Sequence, residues 1–319
     1  PFETVLPRLE KTFPNMRHWV VGLGLHRRLT ESEYSRLSEL VQKPILQHHP
    51  DECTVIEESS FGSFGIFSPL LQTEWTLTVG VMEVHQYAGV SGGYKGVVVG
   101  CGSGNVIAHL HRRDMVCHPN VEVGRIEGNP FREEIERLGV KTPCRFGLMW
   151  VPSLGEWWFG TPSQLLSEAK QQISPWYKIS QPVDTVVLKV PSSKGETLYQ
   201  ASRAATYLAL SPSPPLREGG TIILEASLAE GLGSEQGFCD ALQRFRPPWS
   251  ETLYLDLAGA GAQRIWMLAR LAQRFHLVLS GVENPDLFRS IGLVVSDDLG
   301  IEKGEWLLVE QPFTQIPQG

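Results

Sequence analysis

The chain has 319 residues, with 28 Lys and Arg against 35 Asp and Glu and a formal net charge of −7. A hydrophobic content of 42% and a charged content of 20% are ordinary for globular proteins and exclude disordered, collagen-like and coiled-coil classes. The acidic balance, with no basic run longer than Arg27-Arg28 or His111-Arg112-Arg113, argues against a nucleic-acid or membrane partner and leaves small molecules as the expected ligands.

This length is comfortable for two domains, each able to bury its own core. Cysteines stand at 53, 101, 117, 144 and 239 with no C-x-x-C pair, a usage that suits a reducing, cytoplasmic setting. No apolar run approaches the roughly 18 residues of a membrane span, and no signal-peptide pattern opens the chain. Pro1 fits either a removed initiator methionine or a piece of a longer chain.

In chain order, the apolar positions 2, 5, 6 and 9 predict a helix over Phe2–Thr12. The run Trp19–Leu25 reads as a buried strand that ends at His26-Arg27. Thr30 and Glu33 form a capping box, opening a helix that runs through Val41. Ligands in open α/β sheets bind at the carboxyl ends of strands, so His26 is well placed, although a histidine there can also simply cap a loop. Gln47–Phe67 reads as loops and short strands. His48 and His49 are neighbours that point opposite ways on an extended chain, and both are expected in an exposed loop. Thr76–Val84 is a further strand, which delivers His85 to its carboxyl end.

From Val84 to His118, 35 residues hold four histidines, seven glycines and the single lysine Lys95. Glycine serves where backbone turns with positive φ or approaches something closely, and histidine titrates near neutral pH and is the commonest metal ligand. The loop is no Walker P-loop, because Tyr94 and Gly96 flank Lys95. Gly100-Cys-Gly-Ser-Gly104 likewise misses the dinucleotide spacing. The flanking glycines leave Lys95 open to carry a covalent adduct or bind a phosphate. His109 and His111 would share a face of a strand but lie about 200° apart on a helix, where only one could serve a site.

Farther on, Phe146–Val151 is a strand and Pro162–Ile173 a helix with Thr161 as N-cap. Trp157-Trp158 is expected in a core or an interface. Gln181-Pro182 marks a domain boundary. A second α/β set follows: strand Asp184–Val190, a loop whose Lys194 is read as solvated in preference to reaching the cleft, helix Thr197–Leu208 and strand Thr221–Ala226. A helix from Gly233-Ser234, strands Leu253–Leu257 and Phe275–Leu279, a structural His276 and a turn with a short helix at Asn284-Pro285 complete the reading.

Several separated segments, in order, resemble the nickel-pincer lactate racemases: Gly-Leu-His26-Arg27; His85 with Ser91-Gly-Gly-Tyr-Lys95; Ile107-Ala-His-Leu-His111; Gly124-Arg-Ile-Glu-Gly-Asn-Pro130-Phe-Arg-Glu-Glu-Ile135; Leu198-Tyr-Gln200-Ala-Ser-Arg203; and Gly219–Leu224. The resemblance implies that Lys95 carries a nicotinate-derived mononucleotide with two sulfur arms, held also by Gly92, Gly93 and Arg27. Nickel would sit between the sulfurs and a ring carbon, with His111 as the protein ligand. Imidazole and sulfur donors in a plane suit Ni(II). His26 and His85 would be alternate acid and base, with Gln200 and Arg203 holding the substrate carboxylate or carbonyl.

Direct proton abstraction beside an ionised carboxylate is hard. The resemblance implies instead that hydride leaves to the cofactor ring as one histidine removes the hydroxyl proton, giving a flat keto acid to which hydride returns on the other face. The pattern differs at Leu25, where a small polar residue is usual, at Tyr94 in place of a basic residue, and at Arg203 in place of lysine. Arginine keeps the charge and adds a bidentate grip. An upstream Asp-x-x-Arg-Pro motif belongs to the pattern, and the sequence begins where that motif ends, so either a segment precedes Pro1 or that part has been lost.

The expectation is thus an α/β protein of two α/β domains with an active-site cleft between them, divided as 1–181, 182–300 and a tail 301–319 packing back on the first domain. The expected activity is racemisation or epimerisation of a 2-hydroxy acid by a cytoplasmic enzyme that relies on cofactor-biosynthesis proteins. Two other readings are a non-catalytic relative binding an organic acid or nucleotide, and a metal-dependent hydrolase using the histidines. The scarcity of acidic ligands counts against the last.

Overall fold

The computed structural model describes residues 1–173, 176–211, 213–250, 261–298 and 304–319. Helices and predominantly parallel sheets alternate along the chain. Two compact units form, and neither is continuous in sequence. The first comprises Pro1–Met82, Ser91–Arg112 and Phe131–Ala169, the second Glu83–Val90, Arg113–Pro130 and Lys170–Gly319. A single boundary near 181 therefore does not describe the division. The strand candidate Leu253–Leu257 lies outside the described residues.

The first unit opens with the expected helix, Phe2–Thr12. Its first strand is shorter than the apolar run: only Trp19–Val21 pairs, parallel to Ile45–Gln47. Gly24, at φ +58°, turns the chain out of extended geometry. The capping box of Thr30 and Glu33 is present at the start of helix Glu31–Leu40. Cys53–Ser59 and Gly62–Phe67 form an antiparallel hairpin. Thr76–Val81 runs parallel to Cys144–Val151, on which Glu156–Gly160 folds back antiparallel. In that last strand Trp157 packs on Phe2 and Trp150, with ring centroids 5.2 Å and 5.6 Å away. Thr161 and Gln164 form a second capping box ahead of helix Pro162–Gln172.

The second unit is built on five parallel strands in the order Val294–Val295, His276–Ser280, Leu216–Glu225, Val183–Lys189, Trp306–Val309. Buried on both faces, the middle of this sheet reads as apolar runs such as Val186-Val187-Leu188 and Ile222-Ile223-Leu224. Helices Leu198–Ala209 and Gln263–Ala272 contribute to the same core. The C-terminal residues join this unit: Trp306–Val309 completes the sheet, and Ile316–Gln318 pairs with Trp176–Lys178. The tail expected on the first domain thus belongs to the second unit, because its apolar strand pairs beside Val183–Lys189. The chain moves outward from that strand and then returns to its other side, so the strand order reverses there. Such a switch point opens a crevice at the strands' carboxyl ends.

Candidate functional site

In the first unit the Lys95 segment is shaped by its glycines. Gly92 and Gly93 adopt φ of +83° and +59°, and a Cβ on Gly92 would stand 2.7 Å from Met82 Cε. Ser91 Oγ donates to Val81 O at 2.7 Å, which ties the turn to the end of the neighbouring strand. Lys95 then begins a one-turn helix, Lys95–Val98, and is half-buried. Tyr94 is buried against Gly139, whose Cβ, were it present, would fall 2.2 Å from the tyrosine ring. The aromatic residue next to the lysine is thus a packing residue that fixes where the turn sits.

The His26 turn is laced to the far end of the same segment. Gly24 N–H donates to Gly100 O at 2.8 Å, and a Cβ on Gly22 would meet Gly100 and Cys101 at 3.2 Å. The structure therefore brings the His26 turn onto the end of the Lys95 segment. His26 lies in that exposed turn, five residues beyond the last strand residue, Val21. Arg27 forks onto Glu33 with contacts of 2.7 and 3.1 Å. That contact holds the Glu33 carboxyl down at about 2, so the guanidinium expected on a nucleotide is spent in part on fastening the next helix.

His111 caps helix Gly104–Leu110, and its Nδ1 lies 2.8 Å from Ile107 O. A carbonyl only accepts, so Nδ1 carries the proton and Nε2 is the basic nitrogen, which is the arrangement of a metal-ligating imidazole. His109 goes elsewhere. It is buried, its Nε2 lies 2.9 Å from Glu134 and its Nδ1 beside Arg112, and burial with the adjacent guanidinium lowers its pKa. The helical spacing separates the two histidines as the sequence requires. His48 was expected in an exposed loop but is 1% exposed. Its backbone N–H bonds Val21 O and its ring packs on Phe67, because the strand Ile45–Gln47 carries it inward.

In the second unit His85 sits on a two-residue hairpin, Val84–His85 with Gly89–Val90, and not at the end of the Thr76–Val81 strand. Its Nδ1 accepts the N–H groups of Tyr87 and Ala88 at 3.3 and 3.1 Å, so its proton rests on Nε2. Gly89 makes the hairpin possible: at φ +71°, its Cβ would stand 2.0 Å from Arg125 O.

Gln200 and Arg203 lie one turn apart on helix Leu198–Ala209, capped by Thr197. Arg203 donates to Gln200 Oε1 at 3.0 Å and to the Tyr207 hydroxyl at 2.6 Å. Lys194 was read as a solvated loop lysine, yet its side chain is 23% exposed. It pairs with Glu83 and stands 4.3 Å from the Phe313 ring centroid, which Arg203 also faces at 5.9 Å. Burial lowers the Lys194 pKa and the Arg203 charge lowers it further, against the pull of Glu83. Lys194 follows strand Val183–Lys189 and Phe313 follows Trp306–Val309, so this cluster occupies the sheet's switch point. Sequence reasoning missed it because its acidic member stands 111 positions away.

Among the described residues, no three His, Cys, Asp or Glu side chains are grouped as a metal site would need. Among the described residues, His111 is therefore not part of a three-membered donor cluster. A His111 ring whose Nδ1 donates to Ile107 O and the glycine-shaped Lys95 turn fit a lysine-tethered group that brings its own sulfur donors. No helix among the described residues is long and apolar enough to cross a membrane.

Fold and site together define a two-unit α/β protein with a lysine turn and a helix-end histidine on one unit and a cationic switch-point cluster on the other. Residues 2–124 match the lactate racemase N-terminal domain. A lactate racemase of Lactiplantibacillus plantarum is 23% identical over 319 residues, which span 92% of this chain and 73% of that one. The lactate racemase apoprotein of Thermoanaerobacterium thermosaccharolyticum superposes with a TM-score of 0.80 at 18% identity, covering 100% of this chain and 82% of that one. A Thermotoga maritima protein of known structure gives 0.73 at 15% identity, over 99% and 90% of the two chains. Residues 2–124 thus carry a lactate racemase N-terminal domain, and the chain as a whole is similar to a lactate racemase in sequence and to a lactate racemase apoprotein in fold.

Proposed function

We propose that the protein is an isomerase that racemises or epimerises a 2-hydroxy acid by reversible hydride transfer, using a nickel-pincer nucleotide attached to Lys95. The observation that carries the reading is the Ile107 carbonyl 2.8 Å from His111 Nδ1, which makes that nitrogen the donor, on the same unit as the glycine-shaped Lys95 turn, in a chain similar to lactate racemases. When bound, the group would supply a nickel centre and a ring able to take and return hydride.

The chain's own residues handle binding and protons. Gln200 and Arg203 hold the substrate carboxylate or carbonyl, the guanidinium being already oriented by Gln200 and Tyr207. His26 takes the hydroxyl proton. His85 holds a proton at Nε2, and to give it to the substrate oxygen the ring must be the imidazolium, protonated at Nδ1 as well. For the two to exchange roles, His85 must release the Tyr87 and Ala88 N–H groups from Nδ1 or turn its ring. Gly92, Gly93 and Arg27 hold the nucleotide, and cofactor-biosynthesis proteins deliver it in the cytoplasm.

Nickel content and turnover of three variants test these assignments. In protein made with the cofactor pathway, His111→Ala should lose nickel, whereas His26→Ala and His85→Ala should keep it and lose activity by about 10²–10⁴-fold. Full nickel in His111→Ala would remove that residue as the ligand, and undiminished turnover in either other variant would remove that histidine from the mechanism.

A further inference from the structure

Helix Gln263–Ala272 carries a charge that the site described so far does not use. Arg264 is 2% exposed. Its Nη1 donates to Gln86 Oε1 at 2.8 Å and to Thr206 Oγ1 at 3.3 Å, both neutral acceptors. Its Nε is buried with no hydrogen-bond partner, and among the described residues it enters no ion pair. Nε belongs to the edge of a guanidinium that grips a carboxylate through two parallel bonds. A buried cation without a counter-charge is strongly unfavourable, so such groups are normally paired or await a partner.

The surroundings give that partner a place. The Arg264 guanidinium stands 5.4 Å from the ring centroid of Tyr199. Tyr199 lies one turn before Arg203 on the same face of its helix, and its hydroxyl feels the charges of both guanidiniums and accepts a hydrogen bond from Arg264. Arg203 likewise forms no ion pair among the described residues, whereas Lys194 is already matched by Glu83. Glu235 also bears on Tyr199 through its charge. Among the described residues the two guanidiniums form no ion pair, Arg203 feeling Glu83 only at longer range, and Gln86 ties Arg264 to the hairpin that carries His85.

We propose that Arg264 binds a second carboxylate of the substrate, so that the substrate class is a 2-hydroxy dicarboxylate, with one carboxylate on Arg203 and the other on Arg264. The inference rests on the 2-hydroxy acid reading above and names its substrate class.

Calorimetric titration of the full chain with malate and with lactate, each as both enantiomers, tests it. Malate should bind at least about tenfold more tightly than lactate, the order expected for one charge-assisted bidentate contact. Arg264→Gln should erase that gap while changing lactate affinity by no more than about twofold. Equal affinities in the wild type, binding of neither acid, or equal weakening of both by Arg264→Gln would overturn the proposal, the last by leaving Arg264 a structural cross-link between Gln86 and Thr206. Should Arg264→Gln fail to fold, Arg264→Lys, which keeps charge without the fork, should narrow the gap, and an unchanged gap would contradict the proposal. Failure of the parent reading looks different: an unmodified Lys95 without nickel leaves a malate preference untouched. Adduct and nickel without that preference refute only this inference.

Discussion

His111 and His85 differ in which ring nitrogen the backbone occupies, and that difference assigns their chemistry. A carbonyl at Nδ1 leaves His111 a basic Nε2, while two N–H groups at Nδ1 leave His85 a proton on Nε2. The sequence singled out both histidines but could not assign tautomers, because the partners are backbone groups placed by a helix end and a hairpin. It misjudged His48 because adjacency says that two side chains diverge, not which of them points inward. That burial has a consequence for stability. His48 and His109 are both held below their ordinary value of 6.5, chiefly by burial. Below about 6.5 the unfolded chain therefore binds more protons than the folded one, and stability falls as pH drops. The midpoint of thermal unfolding should be lower at pH 5.5 than at pH 7.5, and His48→Leu, which keeps an apolar contact with Phe67, should shrink the drop. An equal drop in the variant would contradict the assignment to His48. Glu57, held at about 2 against an ordinary 4.5 by Arg137 and Lys141, loses its contribution only below that window.

Elements whose ends are written in local chemistry were legible. The box of Thr30 and Glu33, the Thr161 and Thr197 caps and the turn at Asn284 all stand where the residue types require. Thr30→Ala should cost about 1 kcal/mol in chemical denaturation, and an unchanged midpoint would mean that Arg27 holds Glu33 and the helix start without the threonine. Elements fixed by distant backbone were not legible. The strand from Trp19 stops at Val21 because Gly24 turns toward Gly100, and Tyr94 is positioned by Gly139. Neither relation has a local signature. The three central strands of the parallel sheet were read in type and position, since buried strands announce themselves by continuous Val, Ile and Leu, whereas the edge strands Val294–Val295 and Trp306–Val309 were not read.

At the scale of the molecule, the α/β class and the presence of two bodies followed from length and from alternating strands and helices, but a linear boundary did not. Glu83–Val90 and Arg113–Pro130 belong to the second unit. There Asn129 Nδ2 donates to the Tyr87 and Arg125 carbonyls, joining the two inserted segments. Such exchange is set by pairing between residues about forty positions apart, which composition cannot reveal. The central claim concerns Lys95, and the mass of the proteolytic peptide carrying it, from protein made in a host that builds the cofactor, tests it most directly. With nickel measured on the same sample, the account predicts a nucleotide-sized adduct on Lys95 together with bound nickel. An unmodified lysine without nickel would contradict it and favour a relative that binds an organic acid without catalysis.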